Sequence, residues 1–282
     1  MEYRKRIIYP LNPYSEIKTE PLVTEQSGIR VNKQSVLNKQ PNKETGIDEW
    51  KGVGTVSNNY LLINNKDVKD VAWQIADSTD MSWGEGKTFW DGKRFMYTLK
   101  TTESVGQVSK GDDVALGLQF WNSYDGSTSF SMRYMLYRLA CLNGMTFNHA
   151  FQTHKFKHMP SSENWDEIID SHHQRIKGAL EGDVKNVVNN LSNLTRQDLD
   201  IGQIRKIRYI LDNIPTNTWG SVMDRYLLDE PNFTAWDLLN AATHVTWHKE
   251  KQTKATLDQN AIMTESIMEA FNYPDVDNIP IA

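Results

Sequence analysis

"LGLQFWNSYDGSTSFSMRYMLYRLACLNGM", residues 116–145, places two apolar, aromatic-rich runs on either side of an Asp-Gly pair. An Asp-Gly pair between such runs is typical of a tight turn that joins two strands. In the second run the alternation gives way near residue 131, and apolar side chains recur at helical spacing at Met132, Met135, Leu136 and Leu139. We therefore predict that the chain passes from a β-hairpin into a helix here.

The residues before this stretch predict the rest of a sheet. VGTVSNNYLLINN (residues 53–65) is strand-like, and residues 68–76 have the apolar spacing of a short amphipathic helix. KTFWDGKRFMYTL (residues 87–99) places Asp91 and Gly92 between two strand patterns, which predicts a hairpin with a type I′ turn. The order strand, helix, hairpin, hairpin, helix predicts an α+β fold, in which a helix packs on an antiparallel β-hairpin sheet.

The last part of the chain has a helical pattern. After a strand-like piece at residues 149–158, we predict helices over residues 161–180, with Ser161 or Ser162 as N-cap, and over residues 200–213, 232–251 and 260–271. The chain thus divides into an extended N-terminal arm (1–50), which has no sustained periodicity, an α+β sheet domain (51–160) and a helical C-terminal subdomain (161–282). The arm is expected to be disordered alone or ordered by a partner.

The composition limits the classes of protein. The chain is 39% hydrophobic with a net charge of −5, and it has no apolar run near the roughly 20 residues that a membrane-spanning helix needs. It begins without the apolar stretch of a secretory signal, so we expect a cytoplasmic protein. Its one cysteine, Cys141, excludes a disulfide or a thiolate metal cluster within one chain.

Basic side chains are concentrated in two segments. Residues 87–158 contain nine basic and five acidic side chains, a net charge of +4, and residues 1–43 contain eight and four, again +4. The negative net charge of the whole chain hides this distribution, which is the one that matters for contact with a polyanion.

Three motifs resemble those of a family known as the phage- and plasmid-related domain of unknown function 932. VSNNY (56–60), followed by Asn64, resembles its strand entry, and NSYDGS (122–127) with RLACLN (138–143) resembles its hairpin and following run. TAWDLLNAATHVTWH (234–248) is similar to its helix motif, and His158 also matches a family position. The resemblance covers residues 52–271, and Gly144 departs from the usual threonine. It implies a viral or mobile-element origin and no particular activity.

The hairpins carry the candidate nucleic-acid site. Alternation places Val114, Leu116, Leu118 and Phe120 on one face and Gln119 and Trp121 on the other. A sheet face with aromatic and basic side chains can stack bases and bind phosphates. The predicted stacking residues are Trp90, Trp121 and Tyr124, and the predicted phosphate contacts are Lys93, Arg94, Arg133 and Arg138. The alternative is that the aromatic rings lie under a second layer, such as the C-terminal helices.

The remaining motif residues have structural and functional interpretations. Asn122, Asp125 and Gly126 suit a tight turn, and Asn143, Trp236 and Asn240 suit a polar network between elements. His244 and His248 are four residues apart, a spacing that can bind Zn²⁺ if a third ligand converges. His158 and Asp125 are the candidates for that convergence.

Motifs for nucleotide hydrolysis, dinucleotide binding and serine hydrolases are absent from the sequence. We therefore expect no cofactor and favour a protein that is not an enzyme. The leading hypothesis is a homo-oligomeric protein that binds single-stranded DNA, with strand annealing in recombination or replication as its most specific form. The alternatives are a metal-dependent enzyme acting on nucleic acid and a structural or host-interaction protein that assembles through its N-terminal arm.

Overall fold

The computed structural model describes residues 10–147, 154–156, 158, 178, 182–230, 232–250 and 252–272. The predicted helix over residues 161–180, including Ser161 and Ser162, lies outside them. Within them the fold is α+β, with two antiparallel sheets followed by helices, which confirms the predicted class. No helix in these ranges combines the length and apolar character needed to cross a membrane.

The N-terminal residues form a sheet of three antiparallel strands in sequence order: β1 (Ile17–Val23), β2 (Arg30–Pro41) and β3 (Asp48–Ser57). The prediction of an extended arm was wrong for these residues, and the boundary at residue 50 falls inside β3. The apolar alternation was hidden because Asn38 and Gln40 occupy buried positions next to Val36. Their amides donate to the backbone oxygens of Glu16 and Asn12 at 3.2 and 2.7 Å, so two polar residues are stable there.

The second sheet follows helix α1 (Asn65–Asp77). Its strands are β4 (Trp83–Trp90), β5 (Arg94–Thr101), β6 (Gly106–Ser109), β7 (Asp112–Ser123), β8 (Phe130–Arg138), β9 (Asn143–Thr146) and β10 (His154–Phe156). The strand order is β10-β8-β7-β5-β4, while β6 pairs with β7 and β9 with β8. Helix α1 and the two hairpins are confirmed, and β4 is an edge strand.

The predicted helix from residue 131 was wrong, because residues 130–138 form strand β8. Met132, Tyr134 and Leu136 lie in one buried cluster, and Met135 and Tyr137 lie in another. A strand that is buried on both faces has a nearly continuous apolar run, which periodicity cannot distinguish from a buried helix.

The β4–β5 turn also differs from its prediction. Of Asp91 and Gly92, only Gly92 has a positive φ, +96°, whereas a type I′ turn needs two. The Asp91 carboxylate instead accepts hydrogen bonds from the backbone N–H groups of Lys93 and Arg94 at 3.0 and 2.8 Å. The side chain therefore stabilises a different turn at the predicted place.

The described C-terminal residues are helical, as predicted for this part of the chain. The helices are α2 (Val184–Leu194), α3 (Ile201–Ile210), α4 (Thr216–Asp229), α5 (Ala235–Trp247) and α6 (Lys254–Asn272). Helices α3, α5 and α6 correspond to predicted helices, while α2 and α4 were not predicted. The division of the chain into three domains stays a prediction.

The main sheet has two faces, both of which are covered. The first face carries the even-numbered apolar residues of β7, from Val114 to Phe120, which pack with α1 in the main core. The second face carries Gln119 and Trp121 of β7 together with Met96, Met135 and Tyr137. It packs against Trp247 at the end of α5 and Leu257 in α6. The C-terminal helices therefore cover this face of the sheet.

Candidate functional site

The predicted base-stacking surface is buried. Trp121 is 2% exposed and Tyr124 is 1% exposed, so neither ring can stack on a base. Trp121 lies in the cluster that includes Trp247 and Leu257, and Tyr124 packs with Val36, Val53 and Val56 of the N-terminal sheet. The alternative interpretation, in which a second layer covers the rings, is correct for both residues.

Trp90 has a similar structural position. It makes edge-on contacts with Phe95 and Tyr124, with ring centroids 6.5 and 5.4 Å apart. Its ring packs against both the main core and the small core of the N-terminal sheet. It therefore joins the two sheets, and because its ring is half-buried, a stacking role for Trp90 stays a prediction.

Two of the predicted phosphate contacts form ion pairs within the protein, and a third, Arg133, is half-buried. Arg94 pairs with Asp91 at 2.7 Å, and Arg138 pairs with Asp112 at 2.7 Å. Burial lowers the pKa of Arg133, near Asp258 and Glu265 of α6. Lys93 is exposed and has no carboxylate partner among the described residues. Of the four predicted phosphate contacts, it is the one that is open to a phosphate.

Two lysines that the sequence analysis did not select stand at the edge of the second face. Nζ of Lys100 lies 5.9 Å from the ring centre of Tyr137, and Nζ of Lys87 lies 5.0 Å from that of Trp247. The two rings contact each other edge-on at 5.7 Å. We call these four residues the lysine–aromatic cluster. The alternation of β4 and β5 places both lysines on the face of Met96, a signal that the sequence contained.

Lys87 is half-buried, and burial lowers its pKa to about 8. Its ammonium group donates to the backbone oxygen of Trp247 and to Oε1 of Gln252. Neither Lys87 nor Lys100 forms an ion pair with a described carboxylate. Because a buried cation without an acid partner is costly, Lys87 is a position where an external anion would gain binding energy.

The NSYDGS turn meets the VSNNY segment. Nδ2 of Asn122 donates to the backbone oxygen of Ile63 and to Oδ1 of Asn65, at 2.8 and 2.9 Å. The hydroxyl of Tyr60 donates to the backbone oxygen of Ser123 at 2.6 Å. A Cβ on Gly54 would lie 2.6 Å from Cα of Asp125, so only glycine allows β3 to approach this turn.

The turn itself has the predicted structural chemistry. Oδ1 of Asp125 accepts a hydrogen bond from the Ser127 N–H at 3.0 Å, and Gly126 has a φ of +73°. These contacts stabilise the turn. Two sequence motifs more than 60 residues apart thus pack against each other.

The other two motifs meet on α5. Asn240, His244 and His248 follow one stripe of this helix, and Asn143 of β9 faces them. Nδ2 of Asn143 lies 3.4 Å from the backbone oxygen of Asn240, and its Oδ1 lies 2.9 Å from Nε2 of His248. The two histidine rings are 4.6 Å apart. We call these four residues the polar stripe.

A buried ion pair lies toward the N-terminal end of the same helix. Nε1 of Trp236 donates to Oδ2 of Asp112 at 2.9 Å, and the other oxygen of Asp112 accepts from Nε of Arg138 at 2.7 Å. Nη1 of Arg138 is 3.7 Å from Sγ of Cys141. Trp236 is thus a structural residue that holds α5 to the β7–β8 pair.

Burial disfavours the protonated form of both histidines of the polar stripe. Burial lowers the pKa of His244 to about 4, with a further contribution from Arg225. Burial and the charge of Lys87 lower the pKa of His248. Lys87 also donates to the backbone oxygen of Trp247, the residue before His248, so the polar stripe and the lysine–aromatic cluster are neighbours.

The residues of the alternative metal site do not come together. His158 lies against Tyr60, with stacked rings 4.7 Å apart, and its Nδ1 contacts the backbone oxygen of Leu61. The residues that the structure describes include no group of three or more histidine, cysteine, aspartate or glutamate side chains able to hold a metal ion. His158 and Asp125 therefore do not complete a site with His244 and His248.

These contacts connect sequence motifs over most of the chain. A comparison with family models covers the same region. The model of the Domain of unknown function (DUF932) matches residues 53–268. The chain belongs to this family. No curated protein and no solved structure matches it. In this DUF932 protein the match starts within β3 and ends within α6, so it includes the main sheet, the lysine–aromatic cluster and the polar stripe.

Proposed function

We propose that this protein binds single-stranded nucleic acid along the edge strand β4, with Lys87 and Lys100 contacting consecutive phosphates. The observation that carries the proposal is the lysine–aromatic cluster, in which two ammonium groups flank one pair of aromatic rings without a described acid partner. The proposal keeps the polyanion partner expected from the sequence and moves it from the covered sheet face to the rim.

The energetic argument is electrostatic. A phosphate near Lys87 would stabilise its charged form and raise its pKa again from about 8. Lys93 would extend the contact toward the β4–β5 turn. Binding should therefore depend strongly on salt, because each phosphate contact releases counterions.

Tyr14 supplies an exposed aromatic ring beside β4, on the sheet face opposite the two lysines. It is 39% exposed and contacts Phe95 edge-on at 5.8 Å. A single strand offers bases that can stack on such a ring, whereas the bases of a duplex are already stacked. This is the feature that favours single strands in the proposal.

The test is fluorescence anisotropy with a labelled single strand of about 40 nucleotides and its duplex, titrated at several salt concentrations. We expect saturable binding of the single strand that weakens linearly with the logarithm of salt concentration. In the double variant Lys87→Gln, Lys100→Gln, the salt slope should fall by about 1.4, since each lost phosphate contact removes about 0.7.

The control is Lys18→Gln, Lys39→Gln, which removes two lysines that pair with Glu20 and Glu16 at 2.6 and 2.7 Å. It should leave the slope unchanged. Absence of binding at low salt, or equal slopes in the wild type and the Lys87, Lys100 variant, would contradict the proposal.

The proposal places the protein in the cytoplasm, in a host cell if its origin is viral, with a role in recombination or replication. Assembly into homo-oligomers also stays a proposal. Its support is a set of exposed apolar side chains on α3 and α4: Ile201, Tyr209, Leu227 and Leu228. Light scattering at several protein concentrations would test it.

A further inference from the structure

Asn240 is a buried amide without a partner. Asn240 is 1% exposed. Neither Oδ1 nor Nδ2 of its side chain has a hydrogen-bond partner among the described residues. Nδ1 of His244, one turn later, is also buried without a partner there. Buried polar atoms in folded proteins are nearly always hydrogen-bonded, so three such atoms on one stripe indicate a ligand that supplies the missing partners.

The stripe leads from the interior to the surface. Asn240 is buried, His244 is half-buried and His248 is exposed. A ligand that binds Asn240 would therefore lie along the two histidines. Asn143 lies on the opposite side, and its own amide is already engaged by His248 and by the Asn240 backbone.

Strained backbone occurs next to β9 and next to the start of α5. In the part of the chain that the structure describes, Leu142 and Phe233 are the two non-glycine residues with positive φ, at 54° and 56°. Leu142 precedes Asn143, and Phe233 precedes Thr234, the N-cap of α5. Residues held in such conformations are concentrated at ligand-binding and catalytic sites.

The available groups define the chemistry of the ligand. The Asn240 amide offers one donor and one acceptor side by side, and the neutral ring of His244 adds one further nitrogen. A nucleobase presents a donor and an acceptor side by side on its edge, which is the pattern that asparagine side chains recognise. We propose that the polar stripe binds a single nucleobase through Asn240 and His244. The inference goes beyond strand binding at the rim, since a free nucleoside can occupy the stripe when no strand is bound.

The test is calorimetric titration of the full-length protein with adenosine, guanosine, cytidine and uridine, and with nicotinamide, whose primary amide presents a similar pair of groups. At least one nucleoside should bind saturably to the wild type. Asn240→Leu should reduce that affinity at least about tenfold, equivalent to about 1.4 kcal/mol. It should also raise the melting temperature, because it replaces an unpartnered polar group with an apolar one of similar size.

Thr243→Val is the matched control. Thr243 is buried on the same helix, but its hydroxyl already donates to the backbone oxygen of Leu239 at 2.9 Å. This variant should bind the nucleoside as the wild type does. His244→Phe, which keeps the ring beside His248 and removes the nitrogen, provides a second test and should weaken binding several-fold.

Three results would overturn the inference: no nucleoside binds the wild type, nicotinamide alone binds, or Asn240→Leu and His244→Phe both bind as the wild type does. The Lys87→Gln, Lys100→Gln variant separates this inference from the proposed function. It should lose strand affinity and keep nucleoside affinity, so each proposal can fail without the other.

Discussion

At the scale of single residues, buried amides decide much of this structure. Asn38, Asn122, Asn143 and Asn240 are each at most 2% exposed, yet they serve different ends. Asn122 is held by two hydrogen bonds, while the side chain of Asn240 has no described partner. The first arrangement stabilises the fold, and the second costs stability and is therefore the better candidate for function.

Asn122→Ala should destabilise the protein by about 2–4 kcal/mol, because it leaves the Ile63 oxygen and Asn65 Oδ1 buried without their donor. Urea unfolding followed by tryptophan fluorescence measures this change. Asn58→Ala is the control, since Asn58 contacts Asn32 at an exposed position and its loss should change stability by less than about 0.5 kcal/mol. Equal effects of the two substitutions would contradict the structural role of Asn122.

At the scale of elements, the two capped helices show how burial changes the value of the same motif. Helix α3 starts with a capping box of Asp200 and Gln203, and α5 starts with one of Thr234 and Asp237. Asp200 is exposed, whereas Thr234 and Asp237 are 5% and 4% exposed. The Asp237 carboxylate accepts from both the backbone N–H and the hydroxyl of Thr234.

Thr234→Ala should therefore cost more than Asp200→Ala. We expect about 2 kcal/mol for Thr234→Ala, near the upper end of the range for N-caps, and about 1 kcal/mol for Asp200→Ala. Chemical denaturation of both variants gives the comparison. A larger loss at Asp200 would show that burial of the α5 cap adds nothing.

At the scale of the whole molecule, buried histidines make stability depend on pH. Burial lowers the folded-state pKa values of His158, His244 and His248, that of His244 to about 4. In the unfolded chain these groups titrate near their ordinary value of about 6.5. Their contribution to stability is fully present above about pH 6.5 and is lost as the pH falls toward the folded-state values, because the unfolded chain then binds more protons.

The free energy of unfolding should thus decrease from about pH 7 to about pH 5, a window in which most carboxylates remain ionised. His244→Gln should make this decrease smaller, since it removes the group with the most strongly lowered pKa among the three. Urea titrations at three pH values test this expectation. The same slope in the variant and the wild type would exclude His244 as a source of the pH dependence.

Much of the fold follows from local pattern. The spacing of Val68, Val71 and Ile75 predicted α1, and Asp91-Gly92 and Asp125-Gly126 marked the two hairpins. The helical patterns of residues 200–213 and 232–251 predicted α3 and α5. These features depend on interactions between residues close in the chain, which a sequence displays directly.

The tertiary structure decided what the pattern left open. Residues 130–138 have helical spacing and form a strand, because both of their faces are buried between layers. Trp121 and Tyr124 have the composition of a stacking surface and lie inside, because Trp247, Leu257 and the N-terminal sheet cover them. The sequence by itself determined the fold class, the positions of the two hairpin turns and the family motifs. Only the tertiary structure showed which faces are covered and placed Asn143 beside Asn240 and Lys87 beside Trp247, because these contacts join residues about 100 or more positions apart.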